Sequence, residues 1–283
     1  MKPLSQNVIG IDLGGTKVAG VLLTPQGELL ARERWPVPKD LEAQGLIDLL
    51  ASCVRKLSQT DAGPVAVGIG VPGPLQERGR VLPAVPNFPH MGRVLLKDPL
   101  EEALGISVTL ENDANCFALG ESLYGWGKGH PCVVGITMGT GLGVGIVIEN
   151  RIHRGRHCEA GEIWDLPLGE GTTVENGLSG RYVADKAGVV SAQEAAERAR
   201  RGEAHALAAW RAFGLNLDWL LGAIGRLLDP DLFVLGGSLS RAYDLFSEEL
   251  AEIVSRWPVQ VSSDSEEIAM RGAAAVASRP ELR

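Results

Sequence analysis

The sequence predicts a two-lobed α/β protein, each lobe a mixed sheet flanked by helices. Three observations carry that prediction. Residues 8–23 (VIGIDLGGTKVAGVLL) set a Gly14-Gly15 turn between two apolar, β-branched runs that lack a helical period, so each flank is a strand. Residues 133–148 (VVGITMGTGLGVGIVI) repeat the plan around Gly139-Thr140-Gly141. At 283 residues, the chain is long enough for two lobes with a core apiece.

After the first hairpin, a third strand is expected over residues 29–35 and a helix over 41–58, where Leu46, Leu49, Leu50, Cys53, Val54 and Leu57 form one apolar stripe. Gly63-Pro64 ends that segment, and a buried strand over 65–71 runs into Pro72-Gly73-Pro74, at the carboxyl end where open α/β sheets bind ligands. Residues 75–96 are proline-rich and aperiodic, with Asn87 and His90, and are read as a substrate-facing lip. Asp98-Pro99-Leu100-Glu101 reads as N-cap, first-turn proline and capping-box glutamate of a short helix that Gly105 stops. A strand over 106–110 and a helix through 118–123 lead to the second hairpin. Residues 151–172 read as irregular and 174–187 as helical. Ser191 opens a basic, solvated helix by a further capping box. Residues 204–228 are apolar around most of the circumference and predict a helix buried between elements, ended by Asp229-Pro230. A strand over 232–235 feeds Gly236-Gly237, a helix follows over 241–257, and the small-residue run 272–277 predicts a last helix able to pack closely on a sheet.

Composition excludes several classes. The net charge of −8 argues against a nucleic-acid surface, which needs a clustered basic face. The longest apolar runs are broken by glycine and the start is short and polar, so neither a membrane span nor a signal peptide is expected. Four cysteines without CxxC spacing fit free thiols in a reducing cytoplasm. The 36 glycines, many of them in the turns above, favour ligand binding through the backbone.

The chemistry starts from the glycine turns. Gly14-Gly15 permits the positive φ of a tight turn, and without Cβ atoms phosphate oxygens can approach the amides. The segment nearly matches GxxxxGK[ST], but Thr16 precedes Lys17 and a strand follows, which excludes a P-loop. Asp12, at the mouth of the hairpin, is placed to hold a hydrated Mg²⁺. The alternative, an edge turn with a solvated Asp, loses ground once the second copy is seen. Glu111-Asn112-Asp113-Ala114-Asn115 emerges from a strand into a helix start, and Asp113 is the candidate base for a phosphoryl acceptor. Asn112 or Asp113 acting only as a helix cap is the competing reading. Glu159, Glu162, Asp165 and the acidic run 170–175 suit a polyhydroxylated ligand, or else form a solvated acidic loop. His153 and His157 have the spacing of helical metal ligands, but Arg154-Gly155-Arg156 between them speaks against the helix such a site requires.

Over nearly its whole length the sequence resembles the ROK sugar kinases (repressor, open reading frame, kinase) of the actin-like ATPase superfamily. Residues 12–17 (DLGGTK) resemble the first phosphate motif of that family, 111–121 (ENDANCFALGE) its signature, 138–145 its second phosphate motif, and Leu235-Gly236-Gly237 its adenosine motif. The resemblance implies an actin-like (ribonuclease H-like) fold with a cleft between lobes, divided as 1–114 plus 264–283 and 115–263. It implies Asp113 as catalytic base, sugar binding by Asn112, Glu162, Glu175 and Gly73, with Asn87 a further candidate, and an ATP site formed by Gly14, Gly15, Thr16, Lys17, Thr137, Gly139, Thr140, Gly141, Gly236 and Gly237, with Mg²⁺ near Asp12. A homodimer is implied in the same way.

Two departures stand out. Where the family usually carries Gly-His, this chain has Trp164-Asp165, and Asp165 is the candidate replacement for hydroxyl binding. The usual cysteine block is replaced by residues 168–174 (LGEGTTV), so a zinc-free variant is expected. The activity so implied is ATP-dependent phosphorylation of a hexose, glucose by preference. An N-acetylhexosamine or fructose kinase, a polyphosphate donor, a sugar-binding regulator without turnover and an ATPase acting on proteins stay open as alternatives. The regulator would lack a DNA-binding domain, since the phosphate hairpin begins at Val8.

Overall fold

The computed structural model describes residues 6–59, 63–77, 79–85, 87–169 and 171–282. Strands β1 (Val8–Leu13) and β2 (Lys17–Leu23) form the first hairpin, and β3 (Leu29–Pro36) extends it antiparallel. Helix α1 (Ala43–Leu57) buries Leu46, Leu50, Cys53, Val54 and Leu57 against this sheet. Strand β4 (Ala66–Val71) then runs parallel beside β1. The lip is not wholly irregular: β5 (Val81–Leu82) and β6 (Val94–Leu95) pair antiparallel within it. Helix α2 (Lys97–Leu104) and strand β7 (Ser107–Asn112), parallel to β4, complete the order β3-β2-β1-β4-β7.

Helix α3 (Asp113–Tyr124) leads to the second sheet. Strands β8 (Cys132–Met138), β9 (Leu142–Ile148) and β10 (Arg151–Ile152) pair antiparallel. A small ladder follows, β11 (Pro167–Gly169) with β12 (Thr172–Thr173), in a segment expected to be irregular. Helices α4 (Val174–Gly177), α5 (Gly180–Ala187), α6 (Ala192–Arg200) and α7 (Ala204–Leu228) precede β13 (Leu232–Gly236). Two 3₁₀ turns, α8 (Ala251–Arg256) and β14 (Val259–Val261) finish the sheet, and α9 (Ser265–Ser278) follows, with a last 3₁₀ turn at Pro280–Leu282. The order β10-β9-β8-β13-β14 matches the first sheet strand for strand, with the same two antiparallel and two parallel neighbours. The repeat seen in two hairpins thus extends over both sheets.

Helices α3 and α9 cross between the sheets, and glycine lets them come close. A Cβ on Gly10 would lie 1.9 Å from the Met270 carbonyl oxygen, one on Gly68 1.8 Å from that of Ala273, and one on Gly145 2.2 Å from that of Ala114. Gly272 meets the Cys116 carbonyl at 1.8 Å in the same sense. Much of the glycine therefore serves packing rather than ligand contact, which corrects the compositional expectation. The expected close fit of the last helix on a sheet is present, with Met270 and Ala274 against Val8, Ala19 and Val21.

Several local expectations are corrected. Asp98 lies inside α2 and pairs with Arg80, while Glu101 accepts from Lys97 and, at 2.9 Å, from the Val108 N–H; a tertiary contact has displaced the capping box. The helix expected over 174–187 breaks at Leu178, because the Ser179 hydroxyl accepts from the Tyr182 N–H at 3.2 Å and caps α5 afresh. The helix expected over 241–257 breaks at Phe246, φ −138°, whose ring lies 5.1 Å from Phe213 and 5.9 Å from Trp210, centroid to centroid. Aromatic packing there outweighs helical propensity. Helix α6 is not solvated all round, since Ala195, Ala196 and Ala199 are buried. Nor is α7 buried all round: Leu215, Trp219 and Leu227 stand exposed.

Candidate active site

The junction of β7 and α3 sets the site. Asn112 is the N-cap of α3, its Oδ1 accepting from the Asn115 N–H at 2.9 Å, so the capping reading of this residue holds. Its Nδ2 is left to donate outward, 3.4 Å from the Gly73 carbonyl and 3.4 Å from Glu162 Oε1. Capping and site-facing roles are thus compatible in one amide. Glu111, buried, fixes the junction from behind: Oε1 accepts from the Asn112 N–H and from Asn115 Nδ2, both at 3.0 Å, and Oε2 accepts from Arg154 Nε at 2.8 Å. No sequence signal paired Arg154 with Glu111, which lie 43 residues apart.

Asp113 follows at the first turn of α3. One cleft is lined by Asp12 and Lys17 of the first hairpin, Asp113, Thr137 at the end of β8, and Gly237, joined by Arg34, Ser238, Arg241, Ser263 and Glu266. Burial pushes the Asp113 carboxyl up to about 6, against the pull of the Ala114 N–H it accepts at 2.8 Å. Asp12 is pushed to about 7, first by burial and then by Asp113 and Glu266, with Lys17 opposing. A carboxylate that is costly to ionise beside two others fits a site completed by a cation, so Asp12 suits a hydrated Mg²⁺. Among the described residues, no group of three or more His, Cys, Asp and Glu side chains is arranged to hold a metal by protein ligands alone.

Lys17 is exposed and paired with Glu266 of α9. Burial would raise Glu266, but Lys17, Arg34 and Arg32 outweigh it and hold the carboxyl at about 2. Arg32 and Arg34 share one face of β3, a period-2 signal visible in the sequence. Neither Gly14 nor Gly15 has positive φ, contrary to expectation. The turn is closed instead by the Gly14 N–H donating to the Lys17 carbonyl at 2.9 Å, and a Cβ on Gly15 would lie 3.1 Å from the Asn87 carbonyl oxygen. This brings Asn87, itself exposed, and the lip against the phosphate turn. The Thr16 carbonyl accepts from the Val37 N–H at 3.0 Å.

In the second turn, the Gly139 N–H donates to the Gly141 carbonyl at 3.0 Å, Thr140 is exposed, and a Cβ on Gly141 would lie 2.8 Å from Glu175 Oε1. Glu175 therefore borders this turn. Gly236 is a packing glycine, 2.5 Å from Phe117 by the same measure, whereas Gly237 has φ +82° and donates its N–H to Ser265 Oγ at 3.2 Å. Burial, then Asp113, raises the Glu162 carboxyl. Asp165 is exposed, outside the cleft lining and among none of the described hydrogen bonds. Glu170 lies outside the described residues. His153 lies in irregular chain just after β10 and His157 in a bend, not in a helix, with Gly155 at φ +70° between them.

The arrangement brings the carboxyls of Asp12 and Asp113, the cationic side chain of Lys17, Thr137 and Gly237 to one cleft. The pattern of the ROK family matches residues 8–279. The chain belongs to the ROK family. This ROK protein is 32% identical to glucokinase of Streptomyces coelicolor over 282 residues, covering 89% of this chain and 88% of that protein. It is 34% identical to N-acetyl-D-glucosamine kinase of Erwinia tasmaniensis, over 87% of this chain and 88% of that one. Its structure is similar to that of a ROK family glucokinase from Streptomyces griseus in complex with glucose and AMPPNP, with a TM-score of 0.81, 28% identity, and coverage of 96% and 99%. The fold of this ROK protein is the two-lobed actin-like ATPase fold that the family resemblance implied.

Proposed function

We propose that this protein is an ATP-dependent hexose kinase, with glucose the preferred substrate. One observation carries the reading: Asp113 opens on the same cleft as Asp12, Lys17, Thr137 and Gly237, while its neighbour Asn112 faces Glu162. Phosphoryl transfer asks a protein mainly to place the acceptor hydroxyl, receive its proton and offset charge on the transferring group. In this reading Asn112, Glu162 and Glu175 hold the sugar, with Gly73 and Asn87 bounding it, and Asp113 takes the proton of the attacking hydroxyl. The amides of both glycine turns and Lys17, released from Glu266, receive the phosphates. Gly236 and Gly237 lie along the nucleoside. Mg²⁺ held through water by Asp12 would supply further charge neutralisation when bound. Closure of the lobes, taken as 1–114 plus 264–283 and 115–263, would exclude water and limit hydrolysis.

Asp165 is kept as a sugar contact only on the premise that its loop moves inward on binding. Its present exposure favours the neighbouring residues. A homodimer in the cytoplasm is part of the same reading, the four free cysteines fitting a reducing compartment; among the described residues no helix is long and apolar enough to cross a membrane.

The test is sugar-dependent ADP release over a panel of glucose, fructose, mannose and N-acetylated hexoses. Release with one hexose and not without it supports a kinase. Sugar binding without turnover supports the regulator, and turnover indifferent to sugar supports an ATPase acting on other partners.

A further inference from the structure

Trp164 occupies an unusual place between the two carboxylates assigned to the sugar. Its carbonyl accepts from the Glu175 N–H at 2.9 Å, and two residues on the Leu166 carbonyl accepts from the Val174 N–H at 2.9 Å. These bonds prolong the β11–β12 ladder toward the cleft and tie the 162–166 segment to the start of α4. The Trp164 indole N–H is turned to the carboxylate of Glu162, whose Oε1 lies 3.4 Å from Asn112 Nδ2. Trp164 is 46% exposed, leaving a large apolar side chain in solvent beside a polar site. Ile163, next to it, packs into the core of the second lobe and anchors the segment from the other side.

From this geometry we infer that Trp164 is the positioning residue for the sugar subsite: its backbone holds Glu175, its indole N–H orients Glu162, and its exposed ring forms the outer wall against which the C–H face of a pyranose rests. The inference rests on the hexose-kinase reading. A carboxylate with a fixed donor on one oxygen keeps the other oriented for a sugar hydroxyl, and aromatic faces pack well on the apolar face of a pyranose. A free carboxylate in its place would rotate and lose part of its bond to the ligand as ordering entropy.

Two substitutions separate the parts. Trp164→Phe keeps a ring and loses the N–H; Trp164→Ala loses both, and neither removes the backbone bond to Glu175. Sugar affinity is measured by calorimetry without nucleotide, and KM and kcat are measured in the coupled assay. Trp164→Phe is expected to weaken sugar binding and raise KM about tenfold, with kcat changed less than twofold, and Trp164→Ala to weaken binding further. The acid limb of kcat/KM should also move to higher pH in both variants, because the indole N–H favours ionised Glu162 while burial, Asp113 and Glu159 oppose it. Melting temperatures within about 2 °C of the parent protein check that the fold is intact. Wild-type affinity and an unmoved acid limb in both variants overturn the proposal. Because calorimetry needs no turnover, absence of sugar-dependent ADP release in the parent protein would refute the kinase reading separately, leaving the role of Trp164 in sugar binding to be decided by the affinities.

Discussion

Asn112 and Glu162 meet across the two lobes at 3.4 Å, although fifty residues separate them, and the same Asn112 caps the helix that begins with Asp113. A change at Asn112 therefore acts on stability and on the site together. Asn112→Ala should cost about 1 kcal/mol through the lost cap and also raise the sugar KM. Asn112→Asp keeps a capping oxygen but sets a carboxylate against Glu162, so stability should be nearly retained while sugar affinity falls. Chemical denaturation paired with sugar titration checks both.

Asp113→Asn removes the proposed base while preserving shape. The expected result is a kcat lower by about 10²- to 10⁴-fold with sugar affinity within a few fold of the parent. In the parent protein kcat should rise with pH through about 6, where burial places the Asp113 carboxyl, and level off above it. An activity retained in Asp113→Asn, measured by ADP release, would remove this residue from the mechanism.

The carboxyls of Asp12 and Asp113 are raised in the folded protein above the ordinary value of 3.8, so the native state binds protons that the unfolded chain has already released. Their contribution to stability is present below about pH 4 and is lost as pH climbs through about 6 to 7. Glu266 works oppositely, with stability present above its ordinary value of 4.5 and lost as pH falls through about 2. Asp12→Asn should melt above the parent protein at pH 8, with the gap closing toward pH 5. The same substitution should weaken stabilisation by Mg²⁺ and AMPPNP, which in the parent should reach about 2.7 kcal/mol at a hundredfold excess over Kd and shrink on adding EDTA. Scanning calorimetry at the two pH values reads both effects.

The faces of α9 that pack on α3 and on β1 have no room for a methyl group. Gly272→Ala, with its Cβ 1.8 Å from the Cys116 carbonyl oxygen, and Gly10→Ala, 1.9 Å from that of Met270, should each destabilise by about 3 kcal/mol or more, because backbone must move to accommodate them. Gly92→Ala meets nothing within 4 Å and serves as the neutral comparison. Urea denaturation of the three variants provides the measurement.

The sequence by itself determined the two hairpins, the duplicated strand plan and the α1 stripe, because period-2 and period-3.6 patterns are local consequences of backbone geometry. It also singled out Asp12, Asn112, Asp113, Glu162 and Glu175 by motif and resemblance. Tertiary structure alone decided what no local pattern encodes: that Gly10, Gly68 and Gly145 are spacers for helices rather than ligand contacts, that Arg154 anchors Glu111, that Glu266 holds Lys17, and that Trp164 stands between Glu162 and Glu175. Such contacts join residues tens to hundreds of positions apart, and their energies depend on burial and on neighbouring charge, which exist only once the sheets and the two crossing helices have assembled.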